Sequence, residues 1–219
     1  MLPPHRHGSP LEAPLRLIAL PENADWGGRI AYLDRDGVLN KWKDDYVSSP
    51  DELEILVGSG KAISSLRRMG FRICVVTNQS PIGRGLWGHD VLAEINDRLQ
   101  ALLLEEDQGA EIDLILYSPY SPLEDSWSRK PNPGMLEAGR QIIDNAHRFP
   151  GEHNILSYGD DWIDRPSESD SILIGDRETD IIAAERFGVK GILCDSDSGI
   201  SGVIAVSYTH LTLPTILLV

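Results

Sequence analysis

Five short apolar runs with helical patterns between them restrict the fold of this chain more than any other feature. The runs are residues 29–33, 71–76, 112–117, 171–174 and 189–193, all rich in Ile, Val and Leu. Strands buried on both faces read this way. The helical patterns cover residues 60–69, 89–104, 134–147 and 179–187. Gly70 and Gly188 close the first and last of these, and Pro133 precedes the third. Glycine just past a helix end and proline just before its start are the usual punctuation. Strand–helix alternation predicts a Rossmann-like three-layer α/β/α sandwich with a mainly parallel sheet. Ligands of such sheets bind at the carboxyl ends of the strands. Residues 154–158 are a candidate for a short extra strand, and residues 159–171 read as a polar loop.

A chain of 219 residues supports one such domain with a sizeable core. Residues 28–205 are assigned to it. Residues 1–27, Pro-rich and weakly patterned, read as an N-terminal extension. Residues 206–219 contain a stretch, Ser207 to Thr215, that resembles translated sequencing adapter. They read as a dispensable, non-native tail. No run of 18 apolar residues marks a membrane span, and residues 1–14 lack a secretory apolar stretch, so the cytoplasm is the expected location. A net charge of −14 disfavours nucleic acid as a partner. A small anionic substrate stays compatible with that charge, because a metal and a few local cations can override the global field. A monomer is expected. Cys74 and Cys194 lie in apolar runs and read as buried small hydrophobes.

Four polar clusters each follow a predicted strand. They are Asp34-Arg35-Asp36-Gly37, Thr77-Asn78-Gln79-Ser80, Arg129-Lys130-Pro131 and Gly175-Asp176-Arg177-Glu178-Thr179-Asp180. Each alone is weak, since Asp-x-Asp after a strand is often only a turn or cap. Together they converge on one sheet edge, and their residue types suit phosphoryl transfer. Asp34, Asp36 and Asp176 supply the oxygen ligands that magnesium requires. Asp34 is the expected nucleophile, forming an aspartyl-phosphate. Asp36 is the expected acid and base for the leaving oxygen and the hydrolytic water. Thr77 and Lys130 are expected to donate to the phosphoryl oxygens. Asn78, Arg84 and Arg129 are candidates for binding the rest of the substrate. Arg129 reads equally well as the partner of a distal phosphate or sugar and as that of a neighbouring carboxylate, and Arg84 is similar. Asp180 is either a supporting residue behind the ligands or a first-turn carboxylate favoured by the helix dipole. Trp42, Trp87, Trp127 and Trp162 read as packing anchors, and Asp160, Asp161 and Asp164 as a solvated loop.

These motifs resemble those of the haloacid dehalogenase superfamily over residues 29–194. Asp34 to Asn40, Thr77 to Gly85 and Arg129 to Met135 are similar to its heptose bisphosphate phosphatase branch, with histidinol-phosphate phosphatases beside it. Ser80 and Arg84-Gly85 lean towards the heptose branch. The resemblance implies a magnesium-dependent phosphatase acting on a sugar phosphate. The rival readings are a histidinol-phosphate phosphatase and a catalytically silent module of the same fold. Residues 40–59 and 118–128, where relatives insert cap domains, leave room only for loops, so no large cap is expected. Enzymes of both branches carry a zinc loop ahead of the Arg-Lys pair. Here its ligand positions fall on Ser118, Tyr120, Ser126 and Ser128. None is a thiolate or imidazole, so no structural zinc is expected.

Overall fold

The computed structural model describes residues 2–21 and 25–204. The tail read as dispensable, 206–219, lies outside the described residues. Six strands form one sheet: β1 (His5–Arg6), β2 (Ile30–Leu33), β3 (Arg72–Asn78), β4 (Leu114–Ser118), β5 (Ile172–Gly175) and β6 (Lys190–Leu193). Their order is β1-β4-β3-β2-β5-β6. All neighbours pair in parallel except β1, which pairs antiparallel with β4 through His5 opposite Tyr117. The chain steps outward from β2 through β3 to β4, then returns to the other side of β2 as β5. The strand order therefore reverses at β2, and a crevice opens at its carboxyl end.

Helices α1 (Ser59–Arg68) and α3 (His89–Glu106) cover one face of the sheet. Helices α4 (Gly134–Arg148) and α5 (Glu178–Phe187) cover the other. A single helical turn, α2 (Ser80–Gly83), follows β3. Alternation along β2 divides its side chains between two cores. Ala31 and Leu33 join Ile63, Leu66, Ile95 and Leu99 on one side. Ile30 and Tyr32 join Leu136, Ile142, Ile143 and Ala183 on the other. A last helical turn, residues 199–204, buries Ile200 and Ile204 in the first core. Cys74 and Cys194 are free and buried. No helix among the described residues is long and apolar enough to cross a membrane.

Two expectations change. The described part of residues 1–27 is built into the domain. It supplies β1, and Leu11 and Leu15 enter the second core. Further along the segment, the carbonyls of Ile18 and Ala19 accept from the guanidiniums of Arg72 and Arg67. Residues 154–158 are not a strand. Ile155 is 92% exposed, so the alternating pattern there buries nothing on that side. Asn154 instead donates to the carbonyls of Leu11 and Ala13 and ties the N-terminal segment down.

Asp113, at the entry to β4, binds two buried arginines, Arg67 at 3.1 Å and Arg72 at 3.0 Å, and also accepts from the Ile73 amide. Asp113→Asn would leave two guanidiniums buried without their counter-charge. Such a loss is expected to cost about 3–5 kcal/mol, read as a lowered urea midpoint at unchanged slope.

Candidate active site

Four strand ends converge as the motif spacing predicts. Asp34 follows β2, and its amide donates to the Ile174 carbonyl of β5 at 2.9 Å, which fixes it at the point of strand reversal. Thr77 and Asn78 end β3, and Asp176 follows β5. Lys130 arrives on the loop between β4 and α4, immediately before a cis proline, Pro131. Asp34, Thr77, Asn78 and Lys130, together with Asp36, Trp42, Tyr46, Arg129 and Arg177, line a cavity of about 180 Å³.

Lys130 is the electrostatic centre. Its ammonium, 2% exposed, lies 2.9 Å from Asp34 Oδ1 and 2.5 Å from Asp180 Oδ1. Burial opposes its charge, but the two carboxylates prevail and raise its pKa. Asp180, fully buried, also accepts from the Arg177 amide at the start of α5. It is thus both a first-turn carboxylate and the second partner of Lys130. Its approach depends on Gly175, since a Cβ there would lie 2.2 Å from that of Asp180.

Carboxylate oxygens of Asp34, Asp176 and Asp180 lie within 4.8 Å of one another. Three carboxylates thus crowd around one buried ammonium. Burial, opposed by Lys130 and reinforced by Asp180 and Asp36, pushes the Asp34 carboxyl up to about 7. Burial likewise raises Asp176, against the pull of Arg177. Asp176 Oδ1 is buried without a hydrogen-bond partner, its nearest cation being Arg177 Nε at 3.9 Å. Hard oxygen donors, more carboxylates than ammonium groups and an orphaned carboxylate oxygen fit a divalent cation such as magnesium.

Asp36 is placed differently from the sequence expectation. Its side chain is not in the carboxylate cluster. It pairs with Arg35 at 3.0 Å and accepts from Asn40 at 2.9 Å and Gln79 at 3.1 Å. Burial alone would raise its pKa, yet Arg35 and these donors lower it. Asp36 is therefore an ionised carboxylate, suited to accept a proton before it can give one. The following residue, Gly37, has φ +79°, and a Cβ on it would sit 2.4 Å from Asp176 Oδ2. The turn after β2 thus admits Asp176 only because that position is bare.

The other candidates separate. Thr77 Oγ1 accepts from Gln79 Nε2 at 3.0 Å, leaving its own hydroxyl proton free to donate. Asn78 does not offer its amide to the cavity. Its Nδ2 donates to the Lys130 carbonyl at 3.0 Å, and its Oδ1 accepts from the Lys130 amide at 3.1 Å. Arg84 is exposed and outside the cavity lining, donating to the Tyr46 hydroxyl at 3.3 Å. Arg129 does line the cavity, and its guanidinium donates to the Tyr120 carbonyl at 3.0 Å. Sequence reasoning passed over Arg177 and Lys43, both in the lining. The guanidinium of Arg177 lies 5.9 Å over the Trp42 ring, which makes Trp42 part of the cavity mouth rather than a packing anchor. Trp127, by contrast, is anchored through its indole N–H to the buried Glu137 at 2.7 Å.

Comparison with known proteins agrees with this geometry. The HAD-hydrolase-like family matches residues 127–203. A D-glycero-beta-D-manno-heptose-1,7-bisphosphate 7-phosphatase of Pseudomonas aeruginosa is 36% identical over 168 residues, covering 77% of this chain and 82% of its own. Its counterpart in Pseudomonas putida is 33% identical, over 78% and 85% of the two chains. Among solved structures, the D,D-heptose 1,7-bisphosphate phosphatase of B. bronchiseptica, complexed with magnesium and phosphate, superposes with a TM-score of 0.61. That match has 28% identity and covers 85% of this chain and 89% of the other. With its strand-end motifs and its α/β sandwich, the chain belongs to the family of HAD-like phosphatases that includes these heptose bisphosphate enzymes.

Proposed function

We propose that this phosphatase hydrolyses a phosphomonoester of a phosphorylated sugar, with D-glycero-D-manno-heptose 1,7-bisphosphate the first substrate to test, through an aspartyl-phosphate on Asp34. The observation that carries the reading is the Lys130 ammonium held between Asp34 and Asp180 beside the unpartnered Asp176 oxygen, with the Thr77 hydroxyl in the same cavity wall.

In this reading Asp34 Oδ attacks phosphorus, and the bond from phosphorus to the sugar oxygen breaks. Lys130 and Thr77 donate to the phosphoryl oxygens, where charge accumulates. Asp36, ionised by its contacts with Arg35, Asn40 and Gln79, serves as the base that takes a proton from the hydrolytic water in the second step. That water breaks the bond from phosphorus to Asp34 Oδ, and the proton Asp36 takes from it is the one delivered to the leaving oxygen of the next turnover. Asp34 and Asp176 are the residues that would hold magnesium. The bound ion would offset the like charges of Asp34 and the substrate phosphate and so permit their approach. Asn78 acts through Lys130, whose backbone it fixes. Arg129, Arg177 and Lys43 ring the cavity and supply positive charge for a second phosphate.

The test is phosphate release from a panel of sugar phosphates, histidinol phosphate and an aryl phosphate, using chelator-treated protein. Magnesium alone is expected to restore turnover, with the heptose bisphosphate preferred and no stoichiometric zinc found by elemental analysis. Absence of magnesium-dependent release from every ester would overturn the reading.

Gly37→Ala probes the metal side. The new methyl collides with Asp176, so the magnesium concentration for half-maximal rate is expected to rise about tenfold or more. A magnesium titration of initial rates checks this.

A further inference from the structure

The loop from the end of β4 to α4 delivers Arg129 and Lys130 to the cavity, yet its only regular element is the single turn Pro122–Glu124. Three of its serines are nevertheless buried: Ser118, Ser126 and Ser128. Ser126 Oγ and Ser128 Oγ lie 2.8 Å apart, and Ser118 Oγ closes the cluster 3.4 Å from Ser128 Oγ. Ser126 Oγ also accepts from the Ser128 amide. A hydroxyl has one proton to give. Ser126 gives its proton to the Leu2 carbonyl at 3.2 Å, so the single Ser128 proton is shared between Ser126 Oγ and Ser118 Oγ. The buried cluster is thus completed by an acceptor from the N-terminal segment.

A second contact repeats the arrangement. The Tyr120 hydroxyl donates to the Pro3 carbonyl at 3.0 Å, while the Tyr120 carbonyl accepts from the Arg129 guanidinium. The Ser126 carbonyl accepts from the Arg129 amide at 3.1 Å and from Asn132 Nδ2 at 3.1 Å. Each of the two residues that reach the N-terminal segment is therefore one bond from Arg129. Just beyond, β1 anchors the segment to β4, and the His5 ring stacks on His89 at 4.8 Å.

We propose that residues 2–7 are a positioning element of the active site, with the Leu2 and Pro3 carbonyls fixing Ser126 and Tyr120 and, through them, Arg129. Its catalytic consequence rests on the phosphatase reading above; its structural consequence does not. Arg129 depends on this loop for its placement. Lys130 is also held by Asp34, Asp180 and Asn78, so loosening the loop acts on substrate binding more than on the phosphoryl step.

The test compares the full chain with a variant lacking residues 2–4, which keeps β1, and with Ser126→Ala. Hydrogen exchange is followed across residues 118–132, and kinetics are measured with the heptose 1,7-bisphosphate. Exchange in that loop is expected to speed in both variants while the rest of the domain is unchanged. KM is expected to rise about fivefold for each bond lost, with kcat held within about twofold. A purely structural defect would instead lower the active fraction, and hence kcat, at constant KM. Combining the deletion with Ser126→Ala should add little to the larger single effect, because both break one chain of contacts. Unchanged loop exchange in both variants overturns the proposal, as do additive effects on KM. Faster loop exchange in both variants, with a full chain that hydrolyses no phosphate ester, supports the positioning element and defeats the phosphatase reading alone.

Discussion

Asp34→Asn is expected to lower kcat at least about ten-thousand-fold, the scale at which loss of a nucleophile shows itself. The amide is nearly the same size as the carboxylate but has no charge to attack phosphorus and is a weaker oxygen ligand. The fold should survive, because the backbone bond from residue 34 to Ile174 does not involve the side chain. Lys130 also keeps Asp180 as a partner at 2.5 Å. Thermal unfolding should be unchanged or slightly raised, since the substitution removes one of several crowded carboxylates from a buried site. Activity within about tenfold of the unaltered enzyme, an order of magnitude that no lost nucleophile would leave, rules out Asp34 in that role.

Lys130→Met is expected to injure both catalysis and stability. The methionine matches the length of lysine but leaves Asp34 and Asp180 buried with no ammonium between them. Removing one member of a buried charge cluster costs about 3–5 kcal/mol, and kcat should fall about a hundredfold to a thousandfold with the lost phosphoryl donor. The two losses can be told apart by adding magnesium. A divalent cation near Asp34 and Asp176 compensates part of the missing charge, so magnesium should recover much of the stability in a denaturant titration and little of the rate. A variant as stable as the unaltered protein in the absence of magnesium would show that the Lys130 cluster contributes nothing to the fold.

Five strands and the four main helices could be read from the sequence because each carries a patterned apolar set, which all but the edge strand β6 bury. Strand β1 could not. It is two residues long, His5 and Arg6, and it joins the sheet through its backbone, which leaves no hydrophobic signature. Residues 154–158 misled in the opposite way, since Ile155 faces solvent while Leu156 and Tyr158 pack on the second core without pairing as a strand. The strand-end motifs marked where Asp34, Thr77, Lys130 and Asp176 meet, because strand topology fixes the position of a residue that follows a strand. Side-chain direction was less legible. Asp36 is held by the adjacent Arg35 and the distant Gln79, and Asn78 spends its amide on the Lys130 backbone, arrangements that residue order alone does not display. Asp180 carried a usable signal, a carboxylate at the third position of α5 that can cap the helix, but its ion pair with Lys130 required the tertiary structure.

The contact between Leu2 and Ser126 spans 124 positions. Closing so long a loop carries an entropic cost that grows with the logarithm of its length, and only a few hydrogen bonds and a two-residue strand reward it. A contact of this order forms late in folding. During synthesis Leu2 and Pro3, made before the β4–α4 loop, must wait without these partners until that loop has emerged. The same accounting makes this closure among the first to open in the native state, below the free energy of global unfolding. The Arg129 side of the cavity would then be completed last and lost first, while the Asp34–Lys130–Asp180 cluster, anchored at the end of β2 and by its own buried ion pairs, persists through such openings.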